Sequence, residues 1–156
     1  MDNNYIFQYW EAIQNGTVTV GKWIKTIYEI LVNGLKSGKW DFDEEKANKA
    51  INFIENFCHH SEGRNDLLKL ELWQKAIVSA IFGIMDKRTG YRQFREVFIV
   101  VARKNGKTLF AAAIAAYMAY IDGEYGAKVY FLAPKLDQAD LVYDAFYQIV
   151  QADDEL

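Results

Sequence analysis

With 156 residues, 51% of them hydrophobic and 25% charged, and a single proline, the chain is long enough for one ordinary globular core, and its composition excludes low complexity and disorder. A formal net charge of −3 argues against a surface given over wholly to nucleic acid, although a local basic channel is compatible with it. The lone Cys58 excludes an internal disulfide, the start Met1-Asp2-Asn3-Asn4 lacks a secretory pattern, and the longest apolar run, Leu109 to Ile121, is shorter than the ~20 residues that span a bilayer, so the chain reads as cytoplasmic with no membrane partner.

Tyr5, Ile6, Tyr9, Trp10 and Ile13 recur at helical spacing, and Asn15-Gly16 closes that first helix. Trp23, Ile24, Ile27, Tyr28, Ile30, Leu31 and Leu35 form a second apolar stripe that ends at Ser37-Gly38. Asp41 and Asp43 are candidate caps for a third helix, with Glu44 and Glu45 well placed for its dipole, and that helix is predicted to run to about His60. Cys58-His59-His60 does not read as a metal site, because consecutive helical residues point in different directions and no second cluster supplies further ligands. A buried cysteine beside polar residues at a helix end is the plainer reading. The polar run from Ser61 to Asp66 then separates a helical preface, residues 1–62, from a second part, residues 63–156.

A fourth helix is predicted from about Trp73 to Met85, with Gln74 at its start. Gln74 is either an ordinary polar residue of a first turn or an amide whose donor and acceptor suit the edge of adenine. Next, Val97-Phe98-Ile99-Val100-Val101 predicts a strand, Ala102-Arg103-Lys104-Asn105-Gly106-Lys107-Thr108 a loop, and the alanine-rich run from Leu109 to Ile121 a helix. That order suits a phosphate-binding loop, in which backbone N–H groups and a helix N-terminus surround an anion and a lysine reaches the terminal phosphates. Val101 stands where the general pattern has glycine, and valine disfavours a positive φ, so the front of the loop must bend in another way. Lys128 to Ala133, halted by Pro134, predicts a second strand, and Gln138 to Val150 a final helix before the acidic Asp153-Asp154-Glu155. Strand, helix and strand in this order predict an α/β fold: a helical preface followed by part of a P-loop NTPase, a right-handed βαβ unit with parallel strands.

Residues 102–108 resemble the variant Walker A loop of the large terminase subunit of tailed bacteriophages and prophages, the motor that packages DNA. Leu72-Trp73-Gln74 is similar to that family's adenine-recognition motif, and Gly123 to Tyr130, Asp137-Gln138-Ala139 and Phe53 to His60 extend the likeness. The resemblance implies ATP and Mg2+ as cofactors, with Gln74 on adenine, Ala102, Arg103, Lys104, Asn105, Gly106 and Lys107 around the phosphates, and the Thr108 hydroxyl on the metal. It also implies an arginine-finger-like catalytic role for Arg103, whose alternative is a solvated or phosphate-binding cation. For the whole family it implies viral DNA, the portal and the small terminase subunit as partners, in the cytoplasm of a bacterial host.

The family's Walker B carboxylates and nuclease domain have no counterpart in these residues, because the acids at 153–155 follow a helix rather than a strand. The sequence therefore predicts a truncated ATPase that binds ATP without hydrolysing it. An unpaired sheet edge would favour self-association or a complementing C-terminal chain. Two other readings compete: an interaction module with a vestigial loop, and a nucleic-acid binder using Lys22, Lys25, Lys36 and Lys39, which the net charge disfavours.

Overall fold

A computed structural model describes residues 4–60 and 66–152. The elements in order are α1 (Tyr5–Gln14), α2 (Lys22–Lys36), β1 (Asp41–Phe42), α3 (Glu44–Phe57), α4 (Leu72–Gly83), β2 (Ile84–Met85), α5 (Lys107–Tyr120) and α6 (Leu136–Gln151). They fall into two compact units, one formed by Met1–Ile51 with Leu70–Phe98 and the other by Asn52–Lys69 with Ile99–Leu156. Compactness thus divides the chain within α3, whereas the sequence-level division falls at 62 and 63.

In the first unit, Asn4 begins α1 by accepting a hydrogen bond on Oδ1 from the Ile6 N–H at 2.9 Å, which satisfies one of the amides that a helix start leaves unpaired. The apolar stripe of α1 then packs against α2 and α4. Ile6, Tyr9 and Ile13 meet Tyr28, Leu31, Val32, Trp40, Ala76 and Ile84 in a buried cluster. Tyr9 and Tyr28 pack edge to face at 4.7 Å, and burial raises the pKa of both phenols. Gly34 has a packing reason: a Cβ there would overlap the indole of Trp40, which also packs edge to face against Phe94 at 5.5 Å. Of the two candidate caps for α3, Asp43 serves, accepting from the Lys46 N–H at 3.0 Å. Asp41 instead lies in β1, where it faces Met85 of β2 in an antiparallel pair and its carboxylate meets Lys87 at 3.5 Å.

The second unit is built on α5 against α6. Alanines at 112, 113 and 116 are fully buried, which lets the helices approach closely, and Phe110, Tyr117, Ala145 and Ile149 are buried with them. Tyr117 packs on Phe53 at 5.8 Å, and Phe53 stacks on Phe57 at 5.6 Å. Beyond Phe57 the predicted helix does not continue to His60. The Cys58 carbonyl accepts from the Leu68 N–H at 2.7 Å, and the His60 N–H donates to the Asp66 carbonyl at 3.0 Å, so these residues pair across the chain instead of along a helix. Cys58 is fully buried there, and burial pushes its thiol up to about 12.

The predicted βαβ unit requires correction. Helix α5 forms where expected, but neither 97–101 nor 128–133 is a strand, and the sheet seen among the described residues is the antiparallel pair β1–β2. Phe98 and Val100 are 93% and 97% exposed around a less exposed Ile99, and Tyr130 and Leu132 are 75% and 93% exposed around a half-buried Phe131. The alternation of an extended chain persists in both segments. A strand, however, exists only when a neighbour takes its N–H and C=O groups, and within the described residues no neighbour does so. The polar run at 61–65 and the acids at 153–155 lie outside the described residues.

Candidate functional site

Helix α5 opens on Gly106, whose φ of +65° is left-handed, and its carbonyl accepts the helix's first turn bond from the Phe110 N–H at 2.9 Å. Glycine takes that conformation at little cost. Two residues earlier Lys104 has a φ of +66°, which carries strain for a residue with a side chain. The bend that Val101 precludes is therefore made at Lys104 and Gly106. Asn105 braces the turn from within, its Nδ2 donating to the carbonyls of Ala102 at 3.2 Å and Arg103 at 3.3 Å.

This loop forms one wall of a cavity of about 540 Å³, lined by Arg103, Lys104, Gly106, Lys107, Thr108 and Leu109. The other wall comes from His60 and from Leu141, Asp144, Ala145 and Gln148 of α6. Its volume is within the range of small-molecule sites. Three cationic side chains, the unpaired N–H groups of the first turn of α5 and a hydroxyl converge on it, so its chemistry favours a polyanion. Lys107 and Thr108 are the first two residues of α5 and line the cavity at its N-terminus with an ammonium and a hydroxyl. The donor set therefore fits a magnesium nucleotide.

Of the residues singled out in the sequence, Arg103, Lys104, Gly106, Lys107 and Thr108 share this cavity, while Ala102 and Asn105 hold the turn. Gln74 belongs to the first compact unit. It is 7% exposed, and its Oε1 accepts from the Glu71 N–H at 2.9 Å, the side-chain arm of a capping box at the start of α4. The first-turn role left open for it in the sequence is thus a definite hydrogen bond. Asp144 and Gln148 escaped sequence reasoning, because nothing in their local pattern marks them; they join the loop through the packing of α6 on α5, while His60, weighed in the sequence only as a metal ligand, comes from the segment after α3.

A helix that opens on a left-handed glycine and a Lys-Thr pair, beside further cations, has the features by which helix N-termini attract anions. Residues 72–156, more than half of the chain, match the family described as terminase large subunit, ATPase domain, and the chain belongs to that family. No curated protein and no solved structure matches it. No helix among the described residues is long and apolar enough to cross a membrane.

Proposed function

We propose that this chain is the ATP-binding part of a viral DNA-packaging motor, with residues 1–62 as a helical preface and 63–156 as the opening part of the P-loop ATPase domain. Lys107 binds the β- and γ-phosphates, Thr108 directs its hydroxyl to Mg2+, and Arg103 approaches the γ-phosphate as an arginine finger would. Gly106 and Lys104 shape the backbone around the phosphates. The observation that supports this most is the convergence of Arg103, Lys107 and Thr108 with the N-terminus of α5 on one cavity, in a chain of the terminase ATPase family.

Turnover by these residues alone is not part of the proposal. Phosphoryl transfer relies on positioning and charge stabilisation, including a carboxylate that orients magnesium and another that activates water. The carboxylate that lines the cavity, Asp144, stands on a helix rather than at a strand end. The exposed segments 97–101 and 128–133 are open to pairing with further strands, and viral DNA, the portal and the small subunit are the chain's working partners.

Calorimetry of magnesium-ATP binding to the chain and to Lys107→Ala, with phosphate release followed in the same samples, tests this directly. Binding that is lost in Lys107→Ala, without turnover, is expected. Robust turnover would overturn the half-site reading. Absence of nucleotide binding at millimolar concentration would favour the interaction module, for which Trp23, Ile27 and Ile30, exposed on α2, offer a surface.

A further inference from the structure

The cavity is polarised. Its cations, Arg103, Lys104 and Lys107, lie on the loop wall, whereas Asp144 stands on the other wall with His60, the apolar Leu141 and Ala145 and the amide of Gln148. Leu141, Asp144, Ala145 and Gln148 follow one another at intervals of a helical face, so they present themselves together rather than by accident of a loop. A nucleoside triphosphate has a matching polarity, with an anionic tail at one end and an uncharged sugar and base at the other. Laying the tail along α6 would set phosphate charge against the Asp144 carboxylate, a like-charge contact that costs energy, and would leave the loop cations facing the sugar. The opposite orientation satisfies both walls. An ionised carboxylate can only accept hydrogen bonds, and the donors a nucleotide offers at that end include the ribose hydroxyls. Dinucleotide-binding folds use an acidic residue on ribose for the same reason.

Resting on the reading that the loop holds the phosphates, we propose that Asp144 accepts hydrogen bonds from the ribose hydroxyls of the bound nucleotide, with Leu141 and Gln148 completing that wall. Asp144 is then a specificity residue that makes the site prefer ribonucleotides. It lies on the exposed side of α6, so its truncation leaves the packing of Ala145 and Ile149 on α5 intact.

The test is calorimetry on the chain with three magnesium-loaded probes: ATP, 2′,3′-dideoxy-ATP and inorganic tripolyphosphate. Because a hydrogen bond to a charged group is stronger than a neutral one, the unaltered chain should prefer ATP to the dideoxy analogue by about tenfold. Asp144→Ala should abolish that preference while keeping or raising the affinity for tripolyphosphate. An unchanged ratio of ATP to dideoxy-ATP affinity in Asp144→Ala overturns the proposal, whether or not both affinities rise together, as they would if Asp144 merely served as counter-ion to the loop. An equal loss of ATP and tripolyphosphate binding also overturns it, because it places the carboxylate on the phosphates or the metal. Lys107→Ala separates the two readings. If no probe shows Lys107-dependent binding, the phosphate-loop reading fails and the ribose assignment with it; if that dependence holds and the sugar preference ignores Asp144, only the ribose assignment fails.

Discussion

The apolar stripe of α1 and the two segments that flank α5 are equally plain in the sequence, yet they end in opposite environments. Ile6, Tyr9 and Ile13 are buried against α2 and α4, whereas Phe98, Val100, Tyr130 and Leu132 stand in solvent. The difference lies in where the backbone finds its partners. A helix satisfies its N–H and C=O groups within its own segment, so α1 needs only neighbours for its side chains, and α2 and α4 provide them. A strand depends on another strand for both backbone and side-chain contacts. Residues 97–101 and 128–133 have the composition and alternation of strands without the pairing that would bury them.

The comparison breaks or sharpens under substitution. Ile6→Ala removes a fully buried side chain from the cluster of α1, α2 and α4, and should lower unfolding free energy by about 2–5 kcal/mol in a denaturant titration. A cost well under 1 kcal/mol would mean that this core is no better packed than the segments around α5. The second unit has an interior of its own at Cys58, and pH reports on it. Since the folded thiol is pushed from 9.0 up to about 12, its contribution to stability is intact below pH 9 and is lost as pH rises toward 12, because only the unfolded chain ionises in that window. The loss should approach about 1 kcal/mol per pH unit within the window and be absent from Cys58→Ala; the raised phenols of Tyr9 and Tyr28 remain in both proteins, so the difference between the two profiles isolates the thiol. Matching alkaline profiles would show that Cys58 is open to water. Val100→Ser should have the smallest effect, within about 0.5 kcal/mol, because the side chain it replaces is almost wholly exposed. A larger destabilisation would reveal that this segment is packed after all and would remove the contrast.

Several features of the fold were legible in advance because their causes are local. The stripe of Tyr5 to Ile13, the stop at Asn15-Gly16, the cap at Asp43 and the small-residue run after Thr108 each specify a helix through contacts within a few residues. The early end of α3 was not legible, since it is set by pairing of residues 58–60 with 66–68. Two-residue strands such as β1 and β2 carry too little periodicity to announce themselves.

The candidate site divides along the same line. Sequence by itself determined that Gly106-Lys107-Thr108 would open a helix, because glycine tolerates the left-handed turn and alanine-rich chain continues it, and it marked Arg103 as the neighbouring cation. The tertiary structure alone decided that His60, Asp144 and Gln148 would line the cavity with the loop, whereas the bond from Gln74 to the start of α4 is local and was one of the two readings left open. Helix openings follow from hydrogen bonds made a few residues apart. The α6 side of the cavity is assembled from side chains some forty residues further along the chain, which meet the loop only when α6 packs on α5.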